Sequence, residues 1–268
     1  MDSSKKAITA SGNIRRYVIS SYLFFWFMVL GLCGTASIVF HAPPLVMRIL
    51  SNVCAWSPTI LLFVFFKKFL PTMSRTDFLR RSFSGKLSVP LILISIVSVT
   101  GVFLLSALIT SKIESIPFAS QFSKGTYPVA ASVLLSFTSG PTGEECGWRG
   151  FLRVELEKKY SFLKANILLG LIWTFWHTVL WFVDNEFTSG LALLIYILSN
   201  VIVITSINCI MAVILRKSSN LIYAVLIHFC FNLPYCFLQP TISFYVIMSV
   251  LYVLLAAAFL FIFRKDKK

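Results

Sequence analysis

Six polar side chains stand out in the apolar second half of this chain because their types can move protons or donate hydrogen bonds to a reacting group. They are Glu144, Glu145, Arg149, His177, His228 and Asn232. The two glutamates are adjacent, and two carboxylates side by side resist joint ionisation. Such a pair suits a base that takes a proton from water. We therefore expect water-activating chemistry near residues 144 and 145.

Helical spacing sorts these side chains into groups. Residues four apart share a helix face, so Glu145 can reach Arg149, and His228 projects in the same direction as Asn232. Glu144 is rotated by about 100° from its neighbour on a helix with 3.6 residues per turn. The spacing predicts that arginine holds one carboxylate while the other points elsewhere.

The elements that carry these residues are predicted to be membrane helices. Hydrophobic residues make up 57% of the 268 residues, charged residues make up 13%, and the mean hydropathy is +0.84. A soluble domain of this length needs more polar surface. The composition predicts an all-α, polytopic membrane protein that forms a single integral membrane domain over residues 1–268.

Apolar runs without charge place the spans, since a helix needs roughly 20 residues to cross a bilayer core. Six runs are each long enough for one helix: 17–40, 49–66, 87–111, 125–143, 165–183 and 187–215. Residues 218–263 are long enough for two helices, with a break at 239–241 because Pro240 cannot continue a helix. The sequence therefore predicts eight transmembrane helices.

Basic residues orient these helices. With the N-terminus inside, 21 of the 24 Lys and Arg residues fall in cytoplasmic segments, and the outer segments hold Arg48, Lys112 and Lys124. The positive-inside rule describes this asymmetry, so we expect both termini to face the cytoplasm. The net charge of +14 then indicates topology and attraction to anionic lipid headgroups rather than binding of nucleic acid.

Each polar group has a structural explanation when it is taken alone. Glu145 and Arg149 could form an ion pair at a helix end, and each histidine could hydrogen-bond a neighbouring helix. Together, two Glu, two His and one Asn on three spans would each carry a desolvation cost unless they met in one wet cavity. Their joint occurrence favours a functional site. Cys146, beside the glutamates, is expected to pack as a small apolar residue rather than act as a nucleophile.

The motifs occur in a definite order. The sequence reads E-E-x-x-x-R at 144–149, an aromatic residue four before a histidine at 173–177, and H-x-x-x-N at 228–232. This order resembles the CAAX protease and bacteriocin-processing family of intramembrane endopeptidases, also called the Abi family. The AWSPT stretch at 55–59 resembles the second span of bacterial members. The motif-bearing resemblance covers residues 125–238. In one departure, the family usually has Phe where this chain has Trp173, which bears on the shape of the pocket.

The resemblance implies a catalytic cavity among helices 4–7 that opens toward the cytoplasm, and hydrolysis of a peptide bond within or near the membrane. Position by position, it assigns water activation to Glu144 and His177, and the oxyanion hole to His228 and Asn232. Glu145 would pair with the arginine of the first motif. The resulting hypothesis is a glutamate-dependent endopeptidase that forms no covalent intermediate and needs no metal.

Zinc catalysis is the alternative enzyme hypothesis. Glu144, His177 and His228 would form a three-ligand set with one open position. The sequence contains no H-E-x-x-H helix, and Asn232 suits a hydrogen-bond donor better than a ligand. The metal-free mechanism is therefore favoured.

Two non-catalytic alternatives stay open. One is a membrane scaffold, such as a bacteriocin-immunity factor or a partner of a sensor kinase, although the intact motifs favour retained chemistry. The other is a transporter, for which the sequence lacks paired broken helices and a repeat.

The compact form with short outer loops predicts a multi-pass protein of a bacterial cytoplasmic membrane. The expected partner is a membrane-associated peptide or small protein, cut from the cytoplasmic side. The sequence names neither its substrate nor an oligomeric state.

Overall fold

The computed structural model describes residues 3–183 and 190–263, with side chains from residue 12 onward. These residues are mainly helical, and no β-strand is present among them beyond an isolated antiparallel bridge between Phe122 and Leu238. The helices are α1 (Ser3–Phe27), α2 (Gly34–Ile38), α3 (Pro44–Ala55), α4 (Ser57–Val64), α5 (Phe66–Phe69), α6 (Arg75–Phe83), α7 (Val89–Ile113), α8 (Val129–Thr138), α9 (Gly140–Glu145), α10 (Arg153–Lys159), α11 (Phe162–Trp176), α12 (Leu180–Val183), α13 (Gly190–Ser218), α14 (Ile222–Asn232) and α15 (Ile242–Ile262). The prediction of an all-α fold is confirmed.

Long apolar helices confirm a multi-pass membrane protein. Within the described ranges, five helical runs are long and apolar enough to cross a membrane: Gly12–Ile38, Val89–Ile113, Phe162–Val183, Gly190–Ser218 and Ile242–Ile262. A sixth crossing results if α3 and α4, which meet at 43°, count as one bent span. The count of eight crossings stays a prediction. Helix α8, which lies in the fourth predicted span, has ten residues, whereas a full crossing needs roughly 20.

Two proline-containing segments end helices. Pro141 lies in the first turn of α9, where its missing N–H is tolerated, but it cannot continue the hydrogen bonding of α8. Ser139, between α8 and α9, has a non-helical ψ of −127°. Near Pro240, α15 starts at Ile242, and its N-cap Thr241 accepts the N–H of Phe244 at 3.4 Å. The predicted break at 239–241 is confirmed.

The helix that carries the glutamates continues from α9 through a π-helical turn, Cys146–Leu152, into α10. Small residues let it approach α1 and the bend between α3 and α4. A Cβ at Gly143 would lie 2.7 Å from the Trp56 ring, and one at Gly147 would lie 2.3 Å from the Tyr17 hydroxyl. The same hydroxyl donates to the carbonyl of Pro58 at 3.0 Å. These close contacts place the first motif in the interior of the bundle.

Helix α13 packs against α11 and α15, and α7 packs against α14 and α15. The second half of α13 is buried almost continuously from Val203 to Leu215. Many large apolar side chains face outward instead, among them Leu23, Phe27, Leu104, Leu194 and Leu254. Such a surface is unfavourable in water, but it matches the acyl chains of a bilayer.

The basic connection between α4 and α7 contains the short helix α6. Its N-cap Ser74 accepts the N–H of Asp77 at 3.0 Å. Phe78 of α6 is buried, and a Cβ at Gly150 would lie 3.0 Å from its ring. The segment 67–86 therefore lies at the end of the bundle toward which the motif helix runs after its glutamates.

Candidate catalytic cavity

Side chains from three separated helices meet in one internal cavity of about 170 Å³. Glu144 comes from α9, His177 follows the last residue of α11, and His228 and Asn232 come from α14. The rest of the lining consists of Phe25, Val29, Arg48, Ser51, Ala55, Ser139, Gly140, Trp176 and Leu180. Four of the six predicted site residues thus share a cavity, while Glu145 and Arg149 lie behind its wall.

Two indole N–H groups hold Glu144. Its Oε2 accepts from Nε1 of Trp173 at 2.5 Å and from Nε1 of Trp148 at 3.1 Å. Its Oε1 points toward Gly140, where a Cβ would lie 2.6 Å from this oxygen and 2.7 Å from Nε2 of His228. The absence of a side chain at Gly140 therefore keeps the space beside the carboxylate and the imidazole open.

Glu145 has a different environment, because it is enclosed by charged and polar partners. Its Oε1 accepts from Nη1 of Arg149 at 3.1 Å and contacts Nδ1 of His228 at 2.8 Å. The guanidinium is fully buried; its Nε donates to Oδ1 of Asn208 at 3.1 Å, and its centre lies 3.8 Å from the centroid of the Trp173 ring. Burying an ion pair is costly unless further polar contacts compensate it. Asn208 and the indole face supply such contacts here.

His177 is oriented by the end of its own helix. Its Nδ1 lies 2.8 Å from the carbonyl oxygen of Trp173, and a carbonyl can only accept. The proton therefore sits on Nδ1, which leaves a lone pair on Nε2 when the ring is neutral. A neutral imidazole at the cavity wall can accept a proton or orient water.

The α14 pair presents hydrogen-bonding groups that the protein does not use. Asn232 lines the cavity and makes no hydrogen bond within the described part of the chain. Because Nδ1 of His228 faces the carboxylate of Glu145, Nδ1 is the donor when that group is ionised. Nε2 of His228 can then donate to a substrate oxygen when the ring carries a second proton.

The zinc alternative stays a prediction. Among the residues that the structure describes, no three His, Cys, Asp or Glu side chains are grouped so that they could hold a metal ion. Glu144, His177 and His228 share the cavity, and both histidines direct Nδ1 at protein acceptors, which leaves Nε2 of each ring for a ligand. We derive no chemical step through a metal.

Sequence reasoning missed three contributors to the site. Trp148 occupies an unspecified position of the first motif, and Trp173 was expected only to form part of the pocket wall. Asn208, in the middle of the apolar α13, also donates to the carbonyl of Asn166 at 2.6 Å. A carboxamide inside a charge-free span was the available signal for Asn208. The indole donors gave no signal because tryptophan is common in membrane helices.

The cavity extends away from the basic segment 67–86. It shares Val29, Arg48, Ser51 and Leu180 with a second cavity of about 530 Å³, which continues along residues on both sides of the connection 39–43. The charge asymmetry predicts that this connection lies outside. If substrate enters through the second cavity, the predicted cytoplasmic opening and the predicted cytoplasmic termini cannot both hold.

Comparison with known proteins gives two matches. Residues 126–234, which include all three motifs, match a family described as Rce1-like, type II CAAX prenyl endopeptidase. A protein named CAAX prenyl protease 2, from Methanococcus maripaludis, is 32% identical over an alignment of 212 residues, and the match covers 72% of this chain and 73% of that protein.

Proposed function

The chain belongs to the Rce1-like family of type II CAAX prenyl endopeptidases and is an intramembrane protease; we propose that it cleaves peptide bonds with water activated by Glu144 and His177. The observation that supports this proposal is the cavity that joins Glu144, His177, His228 and Asn232 from three separated helices. Isolated polar groups in membrane helices could serve packing alone. Four that share one cavity, each with an atom free to meet a ligand, favour catalysis.

The first chemical step is the attack of water on the carbonyl carbon. Glu144 takes one proton through Oε1, while Nε2 of His177 accepts a hydrogen bond from the same water and orients it. The carbonyl π electrons move to oxygen, which becomes an oxyanion in the tetrahedral intermediate. The indole donors on Oε2 leave Oε1 as the atom of Glu144 that faces the water.

The second step breaks the carbon–nitrogen bond. Asn232 and protonated His228 donate to the oxyanion, which stabilises charge that is absent in the ground state. When the carbonyl re-forms, Glu144 returns its proton to the departing amine. The products are a carboxylic acid and an amine, and no bond to the enzyme forms at any stage.

The Glu145–Arg149 pair acts behind the cavity. The carboxylate holds Nδ1 of His228, which fixes the orientation of the ring so that Nε2 faces the cavity. Arg149 pairs with that carboxylate and, through the Trp173 ring, braces the indole that holds Glu144. The pair therefore positions both the base and an oxyanion donor without touching the substrate.

The proposed substrate is a membrane-associated protein or peptide that carries a prenyl group, as the family description and the name of the relative suggest. A predominantly apolar groove of about 430 Å³ lies next to the motif helix and can take such a chain. It is lined by Ile49, Asn52, Val53, Trp56, Ile60, Leu135 and Thr138. Trp56 donates to the carbonyl of Thr138 at 2.7 Å, which connects the two sides of this groove.

The test compares peptide termini in cells that make native protein, Glu144→Gln or Glu155→Gln at matched membrane levels. Glu155 on α10 pairs with Lys158 and does not line the cavity, so it provides the same chemical change away from the site. We expect Glu144→Gln to lose cleavage by about 10²–10⁴-fold, the usual contribution of a general base, and Glu155→Gln to retain it. If no terminus depends on Glu144 while deletion of the gene still changes the cells, a scaffold or immunity role replaces this proposal.

A further inference from the structure

The turn that carries His177 is held by α1, a helix that supplies none of the reacting groups. Helix α11 ends at Trp176, and a 3₁₀ turn, His177–Val179, follows it. In a continued α-helix the carbonyl of Trp176 would accept the N–H of Leu180, but that N–H bonds to carbonyls within the turn instead. Nε1 of Trp26 on α1 donates to the carbonyl of Trp176 at 3.0 Å. The indole therefore supplies a donor where the tighter turn has removed one.

The side chain of Trp176 is held by the same helix. Its ring stacks on Phe25 with centroids 3.7 Å apart, and its Nε1 donates to the carbonyl of Ser21 at 3.2 Å. The ring also meets the imidazole of His177 edge to face, with centroids 4.8 Å apart. Trp176 is 1% exposed, so its indole cannot move without displacing these neighbours. Because α1 contacts both the carbonyl and the indole of Trp176, it fixes the position of the residue that follows.

The imidazole of His177 is oriented by its contacts with α11. Its Nδ1 lies 2.8 Å from the carbonyl oxygen of Trp173, one turn earlier, and its ring packs against Trp176. These contacts leave Nε2 for the cavity that His177 shares with Glu144. A displacement of about 1 Å in a positioned group can lower a rate by about 10²-fold. The hold of α1 on this turn therefore bears on the rate, although Trp26 itself does not line the cavity.

We propose that Trp26 is a positioning residue for the reaction: its indole N–H holds the turn after α11 so that Nε2 of His177 meets the attacking water. This inference rests on the proposed function, in which His177 orients that water. Trp26 acts through His177 on the transition state, so its loss lowers kcat and leaves KM nearly unchanged. The residue lies before the segment 126–234 that matches the family. A part of the chain outside the motif-bearing segment thus contributes to the rate.

The experiment removes the indole N–H and measures kcat and KM with the full chain in detergent micelles and a farnesylated peptide. Trp26→Phe keeps an aromatic ring, and Trp26→benzothienylalanine keeps the bicyclic shape and replaces only the N–H with sulfur. We expect either variant to lower kcat by about 10–100-fold, with KM within about twofold of the native value. A native kcat in the benzothienylalanine variant would overturn the proposal, whether or not Trp26→Phe folds.

Tyr22→Phe is the matched control, because it also removes a donor from α1 to a backbone carbonyl of α11. The hydroxyl of Tyr22 donates to the carbonyl of Ile172 at 2.5 Å. Ile172 lies inside α11, however, where an α-helical carbonyl already accepts the N–H four residues on. Tyr22→Phe should therefore keep the native kcat. Equal loss of kcat in Tyr22→Phe and Trp26→Phe would show that both residues act only by packing α1 on α11, and the proposal would be wrong.

A double-mutant cycle separates the positioning of His177 from a general effect on the fold. If Trp26 acts through His177, Trp26→Phe should cost little further activity in the His177→Ala background, so that the two losses do not add. Additive losses would contradict the proposal. A native kcat in His177→Ala would overturn the role of His177 in the proposed function, and this inference with it. Loss of activity in His177→Ala beside native activity in Trp26→Phe would overturn this inference alone.

Discussion

Two adjacent carboxylates in this protein have opposite surroundings. Glu145 is enclosed by Arg149 and His228, and the arginine is in turn contacted by Asn208 and Trp173. Glu144 has one oxygen held by two indoles and lies at the wall of a cavity. Both side chains are at most 3% exposed, so burial alone does not distinguish them. The comparison shows that neighbours in sequence acquire separate roles when one is paired with protein charge and the other is left for a ligand.

The largest effect is expected from a substitution in the enclosed Glu145–Arg149 pair. Arg149→Met removes the charge that compensates Glu145, and an unpaired buried carboxylate costs about 3–5 kcal/mol of stability. We expect a large drop in the melting temperature of the purified protein and in its membrane abundance. Arg153→Met is the control, because its pair with Glu157 is partly exposed and should contribute about 1 kcal/mol or less. Similar melting of both variants would show that the pair of Arg149 with Glu145 does not stabilise the folded protein more than the exposed pair does.

The next largest effect is expected in the cavity that Glu144 faces. Asn232→Ala removes an oxyanion donor and should lower kcat by about 10²–10³-fold, with little change in melting temperature because Asn232 bonds to no described residue. Steady-state kinetics with a farnesylated peptide measure the loss. Asn200→Ala on α13, whose side chain donates to the carbonyl of Tyr196, is the matched change away from the cavity. Retained kcat in Asn232→Ala would leave His228 to stabilise the oxyanion alone.

The smallest effect is expected at Trp173, because this residue contacts both Glu144 and Arg149. Trp173→Phe keeps an aromatic ring near Arg149 but removes the N–H that donates to Glu144. Loss of a hydrogen bond to a charged group is worth roughly 1.5–3 kcal/mol, and Trp148 still holds the same oxygen. We therefore expect about a tenfold loss of kcat at nearly native stability. If kcat is unchanged, the indole of Trp173 serves packing only, as the phenyl ring usual at this position would.

Much of the site was predictable where it depends on local geometry. Glu145 and Arg149 are four residues apart, and a helix brings such residues together whatever the rest of the fold does. The break near Pro240 also follows from local chemistry, since proline lacks the N–H that a continuing helix needs. The convergence of Glu144, His177 and His228 was inferred from the cost of burying each alone, which required no knowledge of the helix arrangement.

The helix lengths show where that reasoning was weaker. A charge-free run at 125–143 resembles one span, but Pro141 and the non-helical Ser139 divide it into α8 and α9. Hydropathy responds to the absence of charge and is insensitive to a local break in hydrogen bonding. The break matters for the site, because it sets the start of the helix that carries the two glutamates.

The sequence by itself determined that this protein lies in a membrane and which side chains pair within one helix. Its hydrophobic content excludes a soluble domain, and the four-residue spacings place Arg149 beside Glu145 and His228 beside Asn232. Only the tertiary structure decided which carboxylate faces the cavity. The deciding contacts join residues 29 apart for Trp173 and Glu144, 83 apart for His228 and Glu145, and 59 apart for Arg149 and Asn208. At such separations the chain imposes no distance between side chains, and helix packing sets it instead.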